Sequence, residues 1–228
     1  MSDNNSAKQQ AGEHAATLIK DGLTVGIGTG STVYFFIQAL AKKVKEGLRI
    51  VGVTTSQQSQ KLATEFGIPL IDFDDADPID ITIDGADEID TNLELIKGGG
   101  GALLQEKMVA AASKILIIIA DESKLVTDLG KFPLPVEVIP FGCKQTMKHI
   151  AALGCKKMEL RKKEEKIFVS DHGHYILDCY FEKINDPLQL NEQLNNIPGI
   201  VENGLFINLA QSAIIAYKDG TVKTIERP

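Results

Sequence analysis

The first 130 residues alternate short apolar, β-branched runs with longer segments of helical periodicity. The apolar runs span residues 23–27, 49–54, 79–83 and 115–120, and each is nearly continuous, as in strands that are covered on both faces. Helices are predicted at residues 31–45, at residues 56–66 and from about Gly101 onward, and the first has Ser31 as its capping residue. This alternation predicts an α/β fold with a mostly parallel sheet.

A second, smaller domain is predicted after Phe132-Pro133-Leu134-Pro135, where two prolines in three residues favour extended backbone. The residues beyond it predict a mixed α+β pattern. Strands are expected near residues 136–139, 156–161, 166–170, 175–180 and 201, and helices at residues 144–153 and 186–195. At the end of the chain, Asp219-Gly220 lies between two apolar runs and predicts a hairpin with a type I′ turn.

Charge and composition exclude several classes of function. The 24 basic and 31 acidic residues give a net charge of −7, which argues against a general affinity for nucleic acid or for an anionic membrane. The longest apolar run, residues 115–120, is far shorter than the ~20 residues that span a bilayer. The three cysteines are odd in number and widely spaced, which fits reduced thiols and a cytoplasmic location.

The first candidate motif is Gly26-Ile27-Gly28-Thr29-Gly30-Ser31-Thr32, at the predicted junction of a strand and a helix. A loop of this kind presents free amides and the positive end of a helix dipole to a phosphate. The glycine spacing is not that of a dinucleotide fingerprint, and the next strand ends in Thr54-Thr55-Ser56 with no acid for a ribose. We therefore expect Thr29, Gly30, Ser31 and Thr32 to bind phosphate, with a tight capped turn as the alternative.

The second motif, Asp84-Gly85-Ala86-Asp87-Glu88, follows a predicted strand and so lies at the carboxyl edge of the sheet. Ligands commonly bind at that edge. Asp84 and Asp87 are candidate functional acids, whereas Glu88 and Asp90 could equally be solvated surface groups. A magnesium site is the main rival, but the nearby Lys97 and the lack of a second ligand cluster argue against it.

The third motif places Lys97 before four consecutive glycines, Gly98-Gly99-Gly100-Gly101, and Glu106 about five residues into the following helix. Four glycines cost backbone entropy, and their benefit is a close approach of backbone amides to a substrate oxygen. Glu106 could be a general base or an ordinary surface glutamate. Together the motifs suit proton transfer beside a carbonyl on an anionic substrate.

The segments GIGTGST, DGADEID, KGGGGALLQEK, IADESK and GKFPLPVEVIP together resemble ribose-5-phosphate isomerase of type A, and the likeness extends over essentially the whole chain. It implies metal-free interconversion of ribose 5-phosphate and ribulose 5-phosphate in the non-oxidative pentose phosphate pathway. It also implies a Rossmann-like domain (residues 1–130 plus 207–228), an inserted ferredoxin-like domain (131–206), and a homodimer or homotetramer. The one departure is Gly101, where relatives often have alanine; we expect it to matter little.

The resemblance also implies roles for individual residues. Glu106 matches the proton acceptor that works through a cis-enediolate, and Asp84 and Asp87 match residues that hold the sugar hydroxyls and assist ring opening. Lys97 and the glycine amides match groups that face the developing oxyanion. The following residues match the phosphate loop and two cations that neutralise the ligand: Thr29, Gly30, Ser31, Thr32, Lys8 and Lys124. Without the resemblance, Lys8 would be interpreted as a surface lysine in a mobile tail.

Two other classes of function remain open at this point. A sugar-phosphate sensor could retain the phosphate loop without catalysis, although only about 22 residues precede the first predicted strand and a DNA-binding segment is not expected there. A transferase could use Glu106 as a covalent nucleophile. His172 and His174 flank Gly173 in a predicted turn, and both are expected to be exposed.

Overall fold

The computed structural model describes residues 3–228. The helices are α1 (Asp3–Leu18), α2 (Ser31–Lys45), α3 (Gln57–Phe66), α4 (Leu103–Ala111), α5 (Cys143–Ala152) and α6 (Pro187–Asn195). The strands of the first half are β1 (Thr24–Ile27), β2 (Val51–Thr54), β3 (Ile81–Asp84), β4 (Glu88–Ile89), β5 (Leu95–Ile96), β6 (Leu116–Asp121) and β7 (Leu134–Val138). The remaining strands are β8 (Lys157–Leu160), β9 (Lys162–Lys163), β10 (Lys166–Ile167), β11 (Tyr175–Tyr180), β12 (Ile200–Asn203), β13 (Leu205–Phe206), β14 (Ser212–Ala216) and β15 (Val222–Glu226).

The chain divides into two compact units. The first comprises the residues up to Ala86 together with Gln105–Lys124 and Asn208–Pro228, and the second comprises Asp87–Leu104 and Leu125–Ile207. Residues 87–104 and 125–130 thus group with the smaller unit, whereas the sequence-based division assigns them to the larger one. For residues 87–104 the physical reason is strand pairing, because β5 pairs with both β4 and β13 in a three-stranded sheet.

The first unit is built on a six-stranded sheet in the order β15-β14-β6-β3-β1-β2. All neighbours pair in parallel except β14 and β15, which form the C-terminal hairpin. The predicted mostly parallel α/β architecture is confirmed. Every residue of β3 and β6 is buried, which explains why these strands are continuous apolar runs in the sequence.

Helix α1 was not predicted from the sequence. Its buried face is made of small residues at helical spacing, including Ala7, Ala11 and Ala15. A Cβ on Gly12 would lie 2.6 Å from the backbone nitrogen of Phe36, so α1 packs closely on α2. Because the buried face is alanine and glycine, it differs little in hydrophobicity from the exposed face of α1. The hydrophobic periodicity of the sequence is therefore weak, although the helix is well packed.

The C-terminal hairpin is present, but its turn is not type I′. That turn needs positive φ at both central residues, and among residues 217–221 only Gly220 has it, at +87°. The Gly220 amide donates to the Tyr217 carbonyl at 3.0 Å. The Asp219 carboxylate instead accepts hydrogen bonds from the amide and hydroxyl of Thr221, which lower the pKa of Asp219 and hold it at ordinary φ.

The second unit has a four-stranded antiparallel sheet in the order β12-β7-β11-β8, together with α5 and α6. Its core is separate from that of the first unit and includes Val136, Ile150, Leu177 and Leu194. Strand β11 matches its predicted bounds, and α6 begins after Asp186, whose side chain caps it by accepting from the Gln189 amide. The expected α+β pattern is confirmed.

The cysteines Cys143, Cys155 and Cys179 are all buried and unpaired by disulfides. A hydrogen bond from Cys179 lowers the pKa of the Cys155 thiol to about 7, whereas burial raises the pKa of Cys143.

Within residues 3–228, no helix combines the length and apolar character needed to cross a bilayer.

Candidate active site

Most of the candidate residues of the first unit lie at one edge of its sheet. Strands β6, β3, β1 and β2 are parallel neighbours, so their carboxyl ends lie at the same edge. Asp84 ends β3, the loop of residues 28–32 follows β1, and Thr55 follows β2. Lys124 ends a short 3-10 helix, Glu122–Lys124, directly after β6. The topology therefore gathers residues that are far apart in the sequence, as in other open α/β sheets.

The loop of residues 28–32 leads into α2 without a capping side chain. The N-cap residue is Gly30, with φ +124° and no side-chain cap hydrogen bond, so the prediction that Ser31 caps the helix is wrong. Ser31 is instead the first helical residue. The first-turn amides of a helix have no partner within the helix, and with no cap they remain suited to an anion.

The Thr29 side chain lies in a cluster of hydroxyl groups that sequence reasoning missed. Its Oγ1 lies 2.8 Å from Thr55 Oγ1, 2.8 Å from Ser56 Oγ and 3.1 Å from Ser59 Oγ. Ser56 is also the N-cap of α3 and accepts from the Ser59 amide. The pairing of β1 with β2 brings these groups together, and the polar run after β2 is the sequence signal that could have indicated them. These contacts hold the Thr29 side chain, and with it the loop of residues 28–32, in place.

Lys8 lies on α1 and not in a mobile tail. Its Nζ donates to Ser31 Oγ at 3.0 Å, which places a cation beside the start of α2. A cavity of about 410 Å³ adjoins the same helix start, and Gly30, Ser31, Tyr34 and Ser59 are among its lining residues. The uncapped helix start and the Lys8 cation beside it are suited to an anion such as phosphate.

Asp84 is fully buried and fixed by backbone amides. Its Oδ1 accepts from the Thr29 amide at 3.0 Å and from the Gly85 amide at 2.7 Å. A Cβ on Gly28 would lie 2.1 Å from the same oxygen. The register of β1 against β3 causes this proximity, because Ile27 pairs with Ile83. Gly28 is therefore needed so that the carboxylate can lie against the backbone of the neighbouring strand end.

We expect the substitution Gly28→Ala to lower the free energy of unfolding by about 1–3 kcal/mol, because the added methyl group overpacks the site and displaces Asp84. Thermal or urea unfolding measures this. Gly85→Ala is the matched control, since its Cβ would meet nothing closer than 3.7 Å. Equal stability losses in the two variants would contradict the close-packing argument.

Glu106 lies in the first turn of α4 and is only 4 % exposed. It is therefore a buried acid, not the surface glutamate that the sequence left as an alternative. Burial removes water from a carboxylate and strengthens its electrostatic interactions. A desolvated carboxylate at a helix start is suited to accept and return a proton.

In the second unit, Asp87 and Lys97 are both fixed by backbone contacts. Asp87 Oδ2 accepts from the Gly99 amide at 2.8 Å. Lys97 follows β5, is 2 % exposed, and its amide donates to the Gly204 carbonyl at 2.9 Å. The Lys97 ammonium lies 5.3 Å from the ring centroid of Phe206. A buried lysine held by strand pairing and by an aromatic ring is a fixed cation.

In the glycine loop, residues 98–101, two positions favour glycine because each combines a positive φ with a close contact at the Cβ position. Gly98 has φ +98° and is buried against Leu103 and Pro135. Gly101 has φ +84°, and a Cβ there would lie 2.4 Å from the ring of Phe168. The expectation that glycine at 101 matters little is therefore wrong for this chain, because alanine would meet both an unfavourable φ and the Phe168 ring.

The structure decides the alternative left open for Glu88 and corrects the prediction for His174. Glu88 is not a solvated acid, because it is 3 % exposed and accepts from the amides of Gly130 at 2.7 Å and Phe132 at 2.6 Å. His172 is exposed as predicted, but His174 is only partly exposed, and its Nδ1 lies 2.9 Å from the buried Glu137. Both contacts are structural: Glu88 ends the Asp84–Glu88 motif but its carboxylate binds backbone amides, and His174 belongs to none of the motifs that suggest catalysis.

A sequence model of the family described as ribose 5-phosphate isomerase A (phosphoriboisomerase A) matches residues 51–220. The chain is 57% identical over 214 residues to ribose-5-phosphate isomerase A of Bacillus cereus, an alignment that covers 93% of this chain and 97% of the relative. It is 50% identical to the protein of the same name from Brucella suis, over the full length of both chains.

Solved structures show the same likeness. A D-ribose-5-phosphate isomerase in complex with phospho-erythronic acid superposes with a TM-score of 0.94 at 41% identity, and the match covers 98% of this chain and 99% of the other. The ribose 5-phosphate isomerase of Plasmodium falciparum also gives a TM-score of 0.94, at 39% identity, with 97% and 98% of the two chains covered.

Proposed function

The chain belongs to the ribose 5-phosphate isomerase A family, and from that membership we propose that it interconverts D-ribose 5-phosphate and D-ribulose 5-phosphate. The observation that carries the proposal is the full-length likeness to these isomerases together with a buried Glu106 in the first turn of α4. The reaction is an aldose-ketose isomerisation and belongs to the non-oxidative pentose phosphate pathway.

Glu106 is proposed as the group that moves the proton. It removes the proton from C2 of the open-chain aldose, which leaves a cis-enediolate; the hydroxyl proton moves from O2 to O1, and Glu106 returns its proton to C1 to give the ketose. One carboxylate can serve as base and then as acid because the two carbons are neighbours. General acid-base help is worth ~10²–10⁴ in rate, so other groups must supply the rest of the acceleration.

Lys97 and the amides of Gly98, Gly99 and Gly100 are proposed to stabilise the charge that gathers on oxygen. A fixed cation and fixed amides do not have to reorganise as that charge develops, which makes such groups effective. The burial of Lys97 at 2 % exposure supports this role. Asp84 and Asp87, with the intervening Gly85 and Ala86, are proposed to hold the sugar hydroxyls and assist ring opening.

The phosphate is proposed to bind at Thr29, Gly30, Ser31 and Thr32, with Lys8 and Lys124 as cations. The uncapped start of α2 and the 3.0 Å contact between Lys8 Nζ and Ser31 Oγ support this part of the proposal. Binding energy from the phosphate, which does not react, orients the reacting carbons.

We expect Lys8→Met to raise KM for ribose 5-phosphate about 5- to 20-fold and to change kcat little, because an opposite charge near a phosphate contributes roughly 1–2 kcal/mol of binding. Steady-state kinetics at low and high salt measure this, and salt should weaken substrate binding to the unaltered protein more than to the variant. Lys20→Met on the exposed surface is the control. A loss confined to kcat would contradict a phosphate-binding role.

The activity itself is tested by following the conversion of ribose 5-phosphate to ribulose 5-phosphate with excess EDTA. We expect full activity in the chelator, since the proposed chemistry uses only side chains and amides. No turnover in either buffer would refute the isomerase proposal and favour a sugar-phosphate sensor. Turnover that disappears only with EDTA would show that a metal ion is required.

A transferase with Glu106 as nucleophile would form a covalent ester during turnover. Hydroxylamine in the presence of substrate would convert that ester into a hydroxamate, which mass spectrometry detects as a fixed mass change on the peptide containing Glu106. We expect no such adduct, because proton transfer leaves the carboxylate intact. An adduct that forms only with substrate would favour the transferase.

We also propose a cytoplasmic location and a homodimeric or homotetrameric assembly, with residues 131–206 as a ferredoxin-like insertion in a Rossmann-like domain. The location is supported by three free cysteines, the assembly by the family resemblance, and the insertion by the separate core of the second unit. The proposed ligand of the site is a small pentose phosphate, and neither nucleic acid nor membrane is proposed as a ligand.

A further inference from the structure

The carbonyl oxygens of the glycine loop are bound by an arginine that none of the sequence motifs indicated. Arg161 follows β8, and its Nη1 donates to the carbonyl oxygens of Gly98 at 2.7 Å and of Gly99 at 3.0 Å. The side chain is 13% exposed. One guanidinium nitrogen thus holds two consecutive peptide groups of the loop.

Arg161 is itself held in place. Its Nε donates to Asp178 Oδ2 at 3.1 Å, and its Nη2 donates to Asp178 Oδ1, so the pair is bidentate. Asp178 is 17% exposed and lies in β11, an inner strand of the four-stranded sheet of the second unit. A bidentate arginine-carboxylate pair fixes direction as well as position.

The peptide between Gly98 and Gly99 is bound on both sides. Arg161 holds its carbonyl oxygen, and its N–H donates to Asp87 Oδ2 at 2.8 Å. The next peptide, between Gly99 and Gly100, is held by Arg161 through its oxygen. In a trans peptide the N–H points opposite to the carbonyl oxygen, so the Gly100 N–H is directed away from Arg161.

We infer that Arg161 is a positioning residue for the isomerisation: by holding the carbonyls of Gly98 and Gly99 it directs the Gly100 N–H at the substrate oxygen that becomes negative. The inference rests on the proposed function and extends it to a residue outside the motifs. Hydrogen bonding at a peptide oxygen also polarises the group and makes its N–H a better donor. A glycine-rich segment has the largest conformational freedom to lose, and Arg161 removes that freedom before the substrate binds.

The test compares Arg161→Met and Arg161→Lys with Arg49→Met as the matched control. Arg49 also pairs with an aspartate, Asp21, but both of its guanidinium nitrogens donate to one carboxylate oxygen, its side chain is 85% exposed, and it belongs to the first unit. For Arg161→Met we expect kcat to fall about 10- to 100-fold with KM within about threefold, a smaller loss than the ~10²–10³ seen on removing an oxyanion donor itself. Arg49→Met should leave both constants unchanged.

Arg161→Lys separates charge from geometry. A single ammonium cannot bind Asp178 side-on and also reach both carbonyls, so lysine should restore less than half of the lost activity on a logarithmic scale. Full restoration would overturn the inference, because positive charge alone would then suffice. An unchanged kcat in Arg161→Met would overturn it as well.

An NMR measurement tests whether Arg161 orders the glycine loop independently of the isomerase activity. In protein labelled with ¹⁵N-glycine, the amide signals of Gly99 and Gly100 should shift or broaden in Arg161→Met, while the melting temperature stays within a few degrees. Unchanged signals would overturn the inference whatever the activity. An unaltered protein without isomerase activity would refute the proposed function, and the glycine signals would still show whether Arg161 orders the loop.

Discussion

Glu106→Gln is expected to lower kcat for ribose 5-phosphate by about 10²- to 10⁴-fold, the range that a general acid-base group contributes. The amide has nearly the same shape as the carboxylate but cannot accept the proton from C2. Because Glu106 is 4 % exposed, little water is available to replace it. KM should change much less than kcat, since the group is proposed to act in the transition state.

Proton exchange measures the same step directly. In D₂O, the unaltered protein should incorporate deuterium at C1 of ribulose 5-phosphate, and Glu106→Gln should not. Glu65→Gln, on an exposed part of α3, is the control for the same chemical change. If Glu106→Gln turned over within tenfold of the unaltered protein, another group would have to be the base.

Lys97→Met is the second change with a large expected effect. Methionine fills a similar volume without the charge, and we expect kcat/KM to fall about 10²- to 10³-fold because the developing oxyanion loses a fixed cation. Lys97→Arg should not restore activity, since the side chain is 2 % exposed and a larger, planar guanidinium does not fit a site built for an ammonium.

Measurements of both kinetics and unfolding for Lys97→Met separate an effect on catalysis from an effect on stability. The fold of Lys97→Met should be retained, because its backbone pairing with Gly204 does not depend on the side chain. Lys61→Met, at an exposed position on α3, controls for the loss of one positive charge. A variant that keeps more than a third of the unaltered kcat/KM would contradict the proposed role, as would one that loses activity only because it unfolds.

The elements whose buried and exposed residues differ strongly in hydrophobicity could be predicted from the sequence. Strand β11 and helix α2 have their predicted bounds, and the other predicted strands of the first unit differ from the structure only at their ends. Helix α1 was missed because its buried face is alanine and glycine, and the type I′ turn was wrong because Asp219 uses its carboxylate to bind Thr221. Close packing thus stabilises α1 although its local pattern is weak, and in the turn side-chain bonding outweighs the local pattern.

The sequence by itself determined the α/β class and the three motifs, and it placed the first two motifs at strand ends, because side-chain periodicity and chain adjacency are local properties. Only the tertiary structure decided which distant residues support those motifs. Thr29 meets Ser59, 30 positions away, through strand pairing, and Arg161 reaches Gly98, 63 positions away, from the position directly after β8. Such contacts depend on strand order and register, which arise from the packing of the whole unit and leave no periodic trace in the sequence.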